Sequence, residues 1–114
     1  MWYNLCMIKQ TLQESKAVRI CTLEDGKEVG HAYLYLVKND LNERPYGLLE
    51  DLFVEEHARG NGFAKELVEE ILEAAKRENC YKVIATSRFS REHVHKMYEK
   101  AGFVEHGKEY RLNL

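Results

Sequence analysis

The sequence carries a single proline, Pro45, and has no long apolar run, no closely spaced cysteine pair and no excess of positive charge. Each shortage closes off a class of function. No stretch approaches the ~20 consecutive apolar residues of a membrane-spanning helix. No leading apolar run follows a basic start, so a cytoplasmic protein is expected. Cys6, Cys21 and Cys80 are odd in number and far apart, with no C-x-x-C pair. They read as small core or surface residues in a reducing compartment. His93 and His95 stand two apart, on different helix faces, so no metal is expected. Lys and Arg number 17 against 19 Asp and Glu, with no basic stripe. Neither nucleic acid nor a membrane is therefore an expected partner.

What is present suits one folded unit. A chain of 114 residues, 45% hydrophobic and 32% charged, can bury one core, so residues 1–114 are expected to form a single domain. Trp2 to Lys9 is apolar enough for a strand, and Gln10 to Lys16 offers one helical turn at most. Ala17 to Leu23 and Glu28 to Val37 alternate as strands around Glu24-Asp25-Gly26-Lys27, which predicts an antiparallel hairpin. In the second of these, Val29, His31, Tyr33, Tyr35 and Val37 should face one way, and Gly30, Ala32, Leu34 and Leu36 the other. Gly30 and Ala32 suggest close packing on their side.

The rest is organised around Leu48 to Arg77. An apolar strand, Leu48 to Val54, is expected to be buried on both faces, with Glu50 and Asp51 interrupting it. A glycine-bearing loop then leads into a helix from about Gly62 to Glu78, with Asn61 as N-cap and Asn79 as stop. Tyr81 to Thr86 predicts a strand parallel to the central one. Ser90 should cap a second helix with Val94, Met97, Tyr98 and Ala101 on its apolar face. Gly102 should end that helix in the left-handed region, with Phe103 folding back on Tyr98. Phe103 to Glu105 and Glu109 to Leu114 read as a terminal hairpin around Gly107.

A strand that feeds a helix through small residues is suited to phosphate, because the first helical amides lack carbonyl partners and the dipole is positive there. A turn without any ligand would carry the same glycines. The order Arg59-Gly60-Asn61-Gly62-Phe63-Ala64 resembles the Arg/Gln-x-x-Gly-x-Gly/Ala signature of the Gcn5-related N-acetyltransferases. The strand Glu50 to Val54 and the segment Met97 to Phe103 match that family's two other recognisable stretches, and the resemblance is firm from about Val29 to Phe103.

The resemblance implies an α+β fold, with a mixed, mostly antiparallel sheet, a central splayed parallel strand pair and two main helices. It implies transfer of the acetyl group of acetyl-CoA to a primary amine, by direct attack in a ternary complex. Pyrophosphate would sit on the amides of Gly60 to Lys65 beside Arg59, and the pantetheine arm would pair with Leu52, Phe53 and Val54. Arg91 stands where the family often has asparagine, and an arginine there could reach a phosphate instead. The thioester would lie between Phe53 and Ile84. Glu50 is the first choice for taking the amine proton and Asp51 the second, although either could simply pair with an arginine. Tyr98 matches the family's general-acid tyrosine, yet the same position packs on Phe103. Ser87, Arg88 and His95 are weaker candidates. Acids around the strand slightly favour a cationic acceptor, a polyamine, amino sugar or lysine side chain. Typical members carry two helices after the first strand, which this sequence lacks. A homodimer or a partner protein would complete that side. A non-catalytic acyl-CoA-binding module is the alternative reading.

Overall fold

The computed structural model describes residues 6–114. Asp25 and Gly26 both take positive φ, 52° and 79°, which lets a two-residue turn follow the twist of its strands. The turn joins β1 (Lys16–Glu24) to β2 (Lys27–Val37) in the expected antiparallel hairpin. β2 pairs with β3 (Tyr46–Val54), again antiparallel. After a 3-10 turn at Glu56–Ala58 comes α1 (Phe63–Arg77), then β4 (Val83–Ala85) and α2 (Glu92–Lys100). The sheet order is β1-β2-β3-β4, and β4 lies parallel to β3. This is the mixed sheet with two helices that the sequence predicted.

Helix α1 presents Leu67, Val68, Ile71, Ala74 and Ala75 to the sheet, one stripe at helical spacing. They pack with Ala32, Leu34, Leu49 and Val54 in one core, joined by Val94 and Tyr98 of α2. Gly30 is small for the expected reason, since a Cβ there would stand 3.2 Å from Leu67 Cδ1 and 3.0 Å from the Phe53 carbonyl oxygen. Asn79 ends α1 with φ 61°, its amide bonding Lys76 O while Cys80 bonds Ala75 O. α2 ends the same way. Gly102, at φ 102°, donates to Glu99 O, Phe103 donates to Tyr98 O, and the two rings lie 5.3 Å apart.

β3 departs from simple alternation. Tyr33 pairs with Glu50 and His31 with Phe53, so Asp51 and Leu52 together oppose Ala32. Asp51 is the surplus residue of this β-bulge and takes φ 53°. Glu50 and Phe53, three apart, consequently share one face.

Five expectations are corrected. β3 is buried only toward α1: Leu49 is 3% exposed but Phe53 on the other face is 38% exposed. Among the described residues no helix covers that outer face, because residues 10–15 form none and are exposed. Of the proposed first strand, Trp2 to Leu5 lie outside the described residues, and Cys6 to Lys9 form no strand. The terminal hairpin is absent. Its first arm spans three residues, and a two-stranded hairpin without a sheet or helix to lean on is marginal in water. Residues 103–114 lack regular structure, and Val104, Tyr110, Leu112 and Leu114 are exposed. Finally, β4 is three residues rather than six, and the two helices begin differently, as follows.

Candidate active site

β3 and β4 are joined only from Gly47–Val83 to Leu49–Ala85. Beyond that point β3 bends at its bulge and the two strands part, which is the expected splay. A cavity of about 380 Å³ opens in the fork. Glu50, Asp51 and Leu52 line it from β3, and Thr86, Ser87 and Arg88 from the chain leaving β4. Arg91, Val94 and Tyr98 of the α2 segment close one side, and Glu109 and Arg111 of the C-terminal stretch another. The fold thus gathers Glu50, Asp51, Leu52, Arg91 and Tyr98 from the sequence prediction into one space. Phe53 and Val54 lie further along the same strand.

Phe53, Val54, Arg59 and the glycine loop do not line that cavity. The loop forms a second feature, at the start of α1. Gly62 rather than Asn61 is the N-cap, in a left-handed conformation with no side-chain cap. Asn61 instead turns back, its Nδ2 donating to Ala58 O at 2.9 Å. Arg59 Nε donates to Val54 O at 3.0 Å, which ties the loop to the end of β3. The first amide of the helix to find a carbonyl is Glu66, on Gly62 O at 3.1 Å. Among the described residues the amides of Gly60 to Lys65 find no backbone carbonyl, and a Cβ at Gly60 or Gly62 would meet nothing within 4 Å. Unpartnered amides at an uncapped helix start favour an anion. Lys65 is exposed nearby and leans toward Glu69 at 3.9 Å.

Tyr98 is the most buried polar residue of the fork, 9% exposed. Burial pushes its phenol pKa up; nearby Arg91 lowers it and Glu50 raises it. The phenol therefore stays protonated at neutral pH. Ser87 Oγ is buried without a hydrogen-bond partner, a group that a ligand in the fork could satisfy. Arg88, Arg91 and Arg111 form no ion pair among the described residues. Arg91, not Ser90, is the N-cap of α2, and its carbonyl accepts from Val94 and His95. His95 is outside the cavity, its Nε2 2.8 Å from Arg88 O. Arg111 and Glu109 gave no signal in the sequence, where they read as strand residues.

The chain is similar to known proteins. The model of the acetyltransferase (GNAT) family covers residues 2–103. The chain belongs to the GNAT acetyltransferase family. A curated relative, glucosamine 6-phosphate N-acetyltransferase of Trypanosoma brucei brucei, is 36% identical over 95 residues, or 82% of this chain and 63% of the relative. The chain thus spans less than two thirds of that relative's length. A solved Trypanosoma brucei acetyltransferase superposes with a TM-score of 0.74 at 35% identity, covering 86% of this chain and 69% of the other. A glucosamine-6-phosphate N-acetyltransferase of Arabidopsis thaliana gives 0.76 at 25% identity, covering 85% and 66%. GNAT membership accounts for the mixed sheet with its two helices.

Proposed function

We propose that the chain is an acetyl-CoA-dependent N-acetyltransferase acting on a primary amine, with an amino-sugar phosphate as the leading acceptor class. The fork carries this reading: it sets a carboxylate, Glu50, and a protonated phenol, Tyr98, on the walls of one cavity beside an unpaired strand edge. The names of the relatives support the acceptor class, as do Arg88, Arg91 and Arg111, three arginines without carboxylate partners in the same cavity. These guanidinium groups give an anionic group of the acceptor a place to bind, while Glu50, Asp51 and Glu109 on the same walls can receive its ammonium.

The residues fit acetyl-CoA at two independent points. Amides of Gly60 to Lys65 can hold the pyrophosphate, and the free edge of β3 past Leu49 can pair with the amides of the pantetheine arm. A lysine-type amine has a pKa near ~10.4 and must lose a proton before attack. Glu50 takes that proton directly or through a water. As nitrogen bonds the acyl carbon, a backbone N–H of β3 stabilises the oxyanion. The carbon–sulfur bond would then break, Tyr98 supplying a proton to the thiolate, whose own conjugate acid lies near ~8.5, while the second proton shed by the acylated nitrogen passes through solvent and restores the phenol.

A thiol-release assay of acetyl-CoA against amino sugars with and without phosphate, polyamines and lysine peptides tests this reading. Turnover is expected with the phosphorylated amino sugar, and acetyl-CoA at ~100 times its Kd should stabilise the fold by about 2.7 kcal/mol. Stabilisation without thiol release from any amine would replace the enzyme with an acyl-CoA-binding module.

Two variants separate the parts. Tyr98→Phe keeps the ring on Phe103, so Tm should hold while kcat falls about tenfold. The sign of its pH dependence follows from the raised pKa. The phenol's contribution is complete below the ordinary value of about 10 and fades only as pH rises beyond it, so an alkaline limb present in the wild type should vanish in the variant. Gly62→Val places a β-branched residue at φ 80°, a backbone region such residues avoid. Its expected result is at least about tenfold weaker CoA binding by calorimetry, with the acceptor KM unchanged.

A further inference from the structure

The bulge in β3 turns a carboxylate onto the outer face of the sheet, where Asp51 Oδ2 lies 2.9 Å from His31 Nε2. His31 is fixed on two more sides. Its ring meets Tyr33 edge-on at 6.0 Å and Phe53 at 5.5 Å. The imidazole is only 20% exposed, whereas the Asp51 carboxylate is 66% exposed and lines the fork. An ionised carboxylate only accepts, so Nε2 carries the proton and donates to it. A non-glycine residue in the left-handed region, as Asp51 is at φ 53°, is strained and persists where its surroundings hold it. One oxygen of Asp51 is thus held by a packed ring, on a residue that lines the cavity.

We propose that His31 is a positioning residue for the acceptor, fixing Asp51 so that its free oxygen receives the ammonium or a hydroxyl of the amine substrate beside Glu50. The assignment rests on the N-acetyltransferase reading above. The division of labour follows from geometry: Glu50 takes the proton, and the His31–Asp51 pair sets where the nitrogen sits. No sequence motif pointed to His31, because its partner is reached through a surplus residue that strict alternation would not place there.

The test measures acceptor KM, kcat and acetyl-CoA Kd for His31→Phe, His31→Gln, Asp51→Asn and the double variant His31→Phe/Asp51→Asn. His31→Phe should raise acceptor KM about tenfold, with kcat within about threefold and acetyl-CoA affinity unchanged. His31→Gln keeps a side-chain N–H donor and should recover most of that loss, which a merely structural role would not do. The double variant should be no worse than the worse single one, because the two residues act as a unit. Wild-type KM in His31→Phe at unchanged Tm, or additive losses in the double variant, would overturn the proposal. A wild-type protein that binds acetyl-CoA yet acetylates no amine would overturn the parent reading and this one with it, and that failure is visible before any variant is made.

Discussion

Glu50→Gln is expected to lower kcat by about 10²- to 10⁴-fold while acetyl-CoA affinity stays within about twofold. The side chain is half-buried, on the outer face opposite Tyr33, at the point where β3 leaves β4. It forms no ion pair or side-chain hydrogen bond among the described residues. A half-buried carboxylate without a partner is unfavourable unless something in the cavity uses it. Glutamine preserves size and removes only the ability to take a proton. The loss should therefore shrink as pH is raised toward the amine's own pKa, where more acceptor arrives unprotonated. Steady-state kinetics from neutral to alkaline pH check both points. A variant with wild-type kcat would remove Glu50 as the proton taker and leave Asp51 in that role.

The largest expected effect on stability is at Ile71. It is fully buried at the middle of α1, between that helix and the sheet. Ile71→Ala removes core methyl groups and leaves a cavity, for a cost of about 2–5 kcal/mol. A domain of this size has a total stability on the order of 5–15 kcal/mol. The urea midpoint should fall with little change in m, and Tm should drop by at least about 8 °C. The exposed Glu73 of the same helix is the control, and Glu73→Ala should stay within about 0.5 kcal/mol. An Ile71→Ala protein as stable as that control would contradict the packing of α1 on the sheet.

How legible these features were depended on the range of the interaction that fixes them. α1 could be read to within a residue because its apolar stripe is local and periodic, and the Gly102 stop because its two hydrogen bonds lie within five residues. Glu50, Asp51, Tyr98 and the glycine loop were also visible, each through a short motif. The position of the N-cap was not. Asn61 has the right side chain for capping, but the loop uses it on Ala58 O instead. Burial of β3 on both faces was inferred from apolar content, whereas cover depends on elements distant in sequence, and none among the described residues reaches the outer face. Arg111 joins the fork only through the path of the C-terminal stretch, which no local pattern encodes. Arg19 illustrates the same limit. It stands opposite Tyr33, yet it reaches along the hairpin, past the register shift at Thr22/Leu23, to pair with Glu28 at 2.6 Å, and it lowers the Glu28 pKa to about 2.

The bulge at Asp51 has a consequence for how far this scaffold can be edited. Excising that single amino acid would leave Leu52 facing Ala32 and Phe53 still facing His31, an unbroken ladder with every other side chain on its present side. The core side chains between the sheet and α1 would keep their facing. The straightened β3, however, would run on beside β4, and the crevice between them would zip shut. The opening between β3 and β4 therefore depends on one spare link in the chain, an extra residue that the pairing of β2 with β3 does not need.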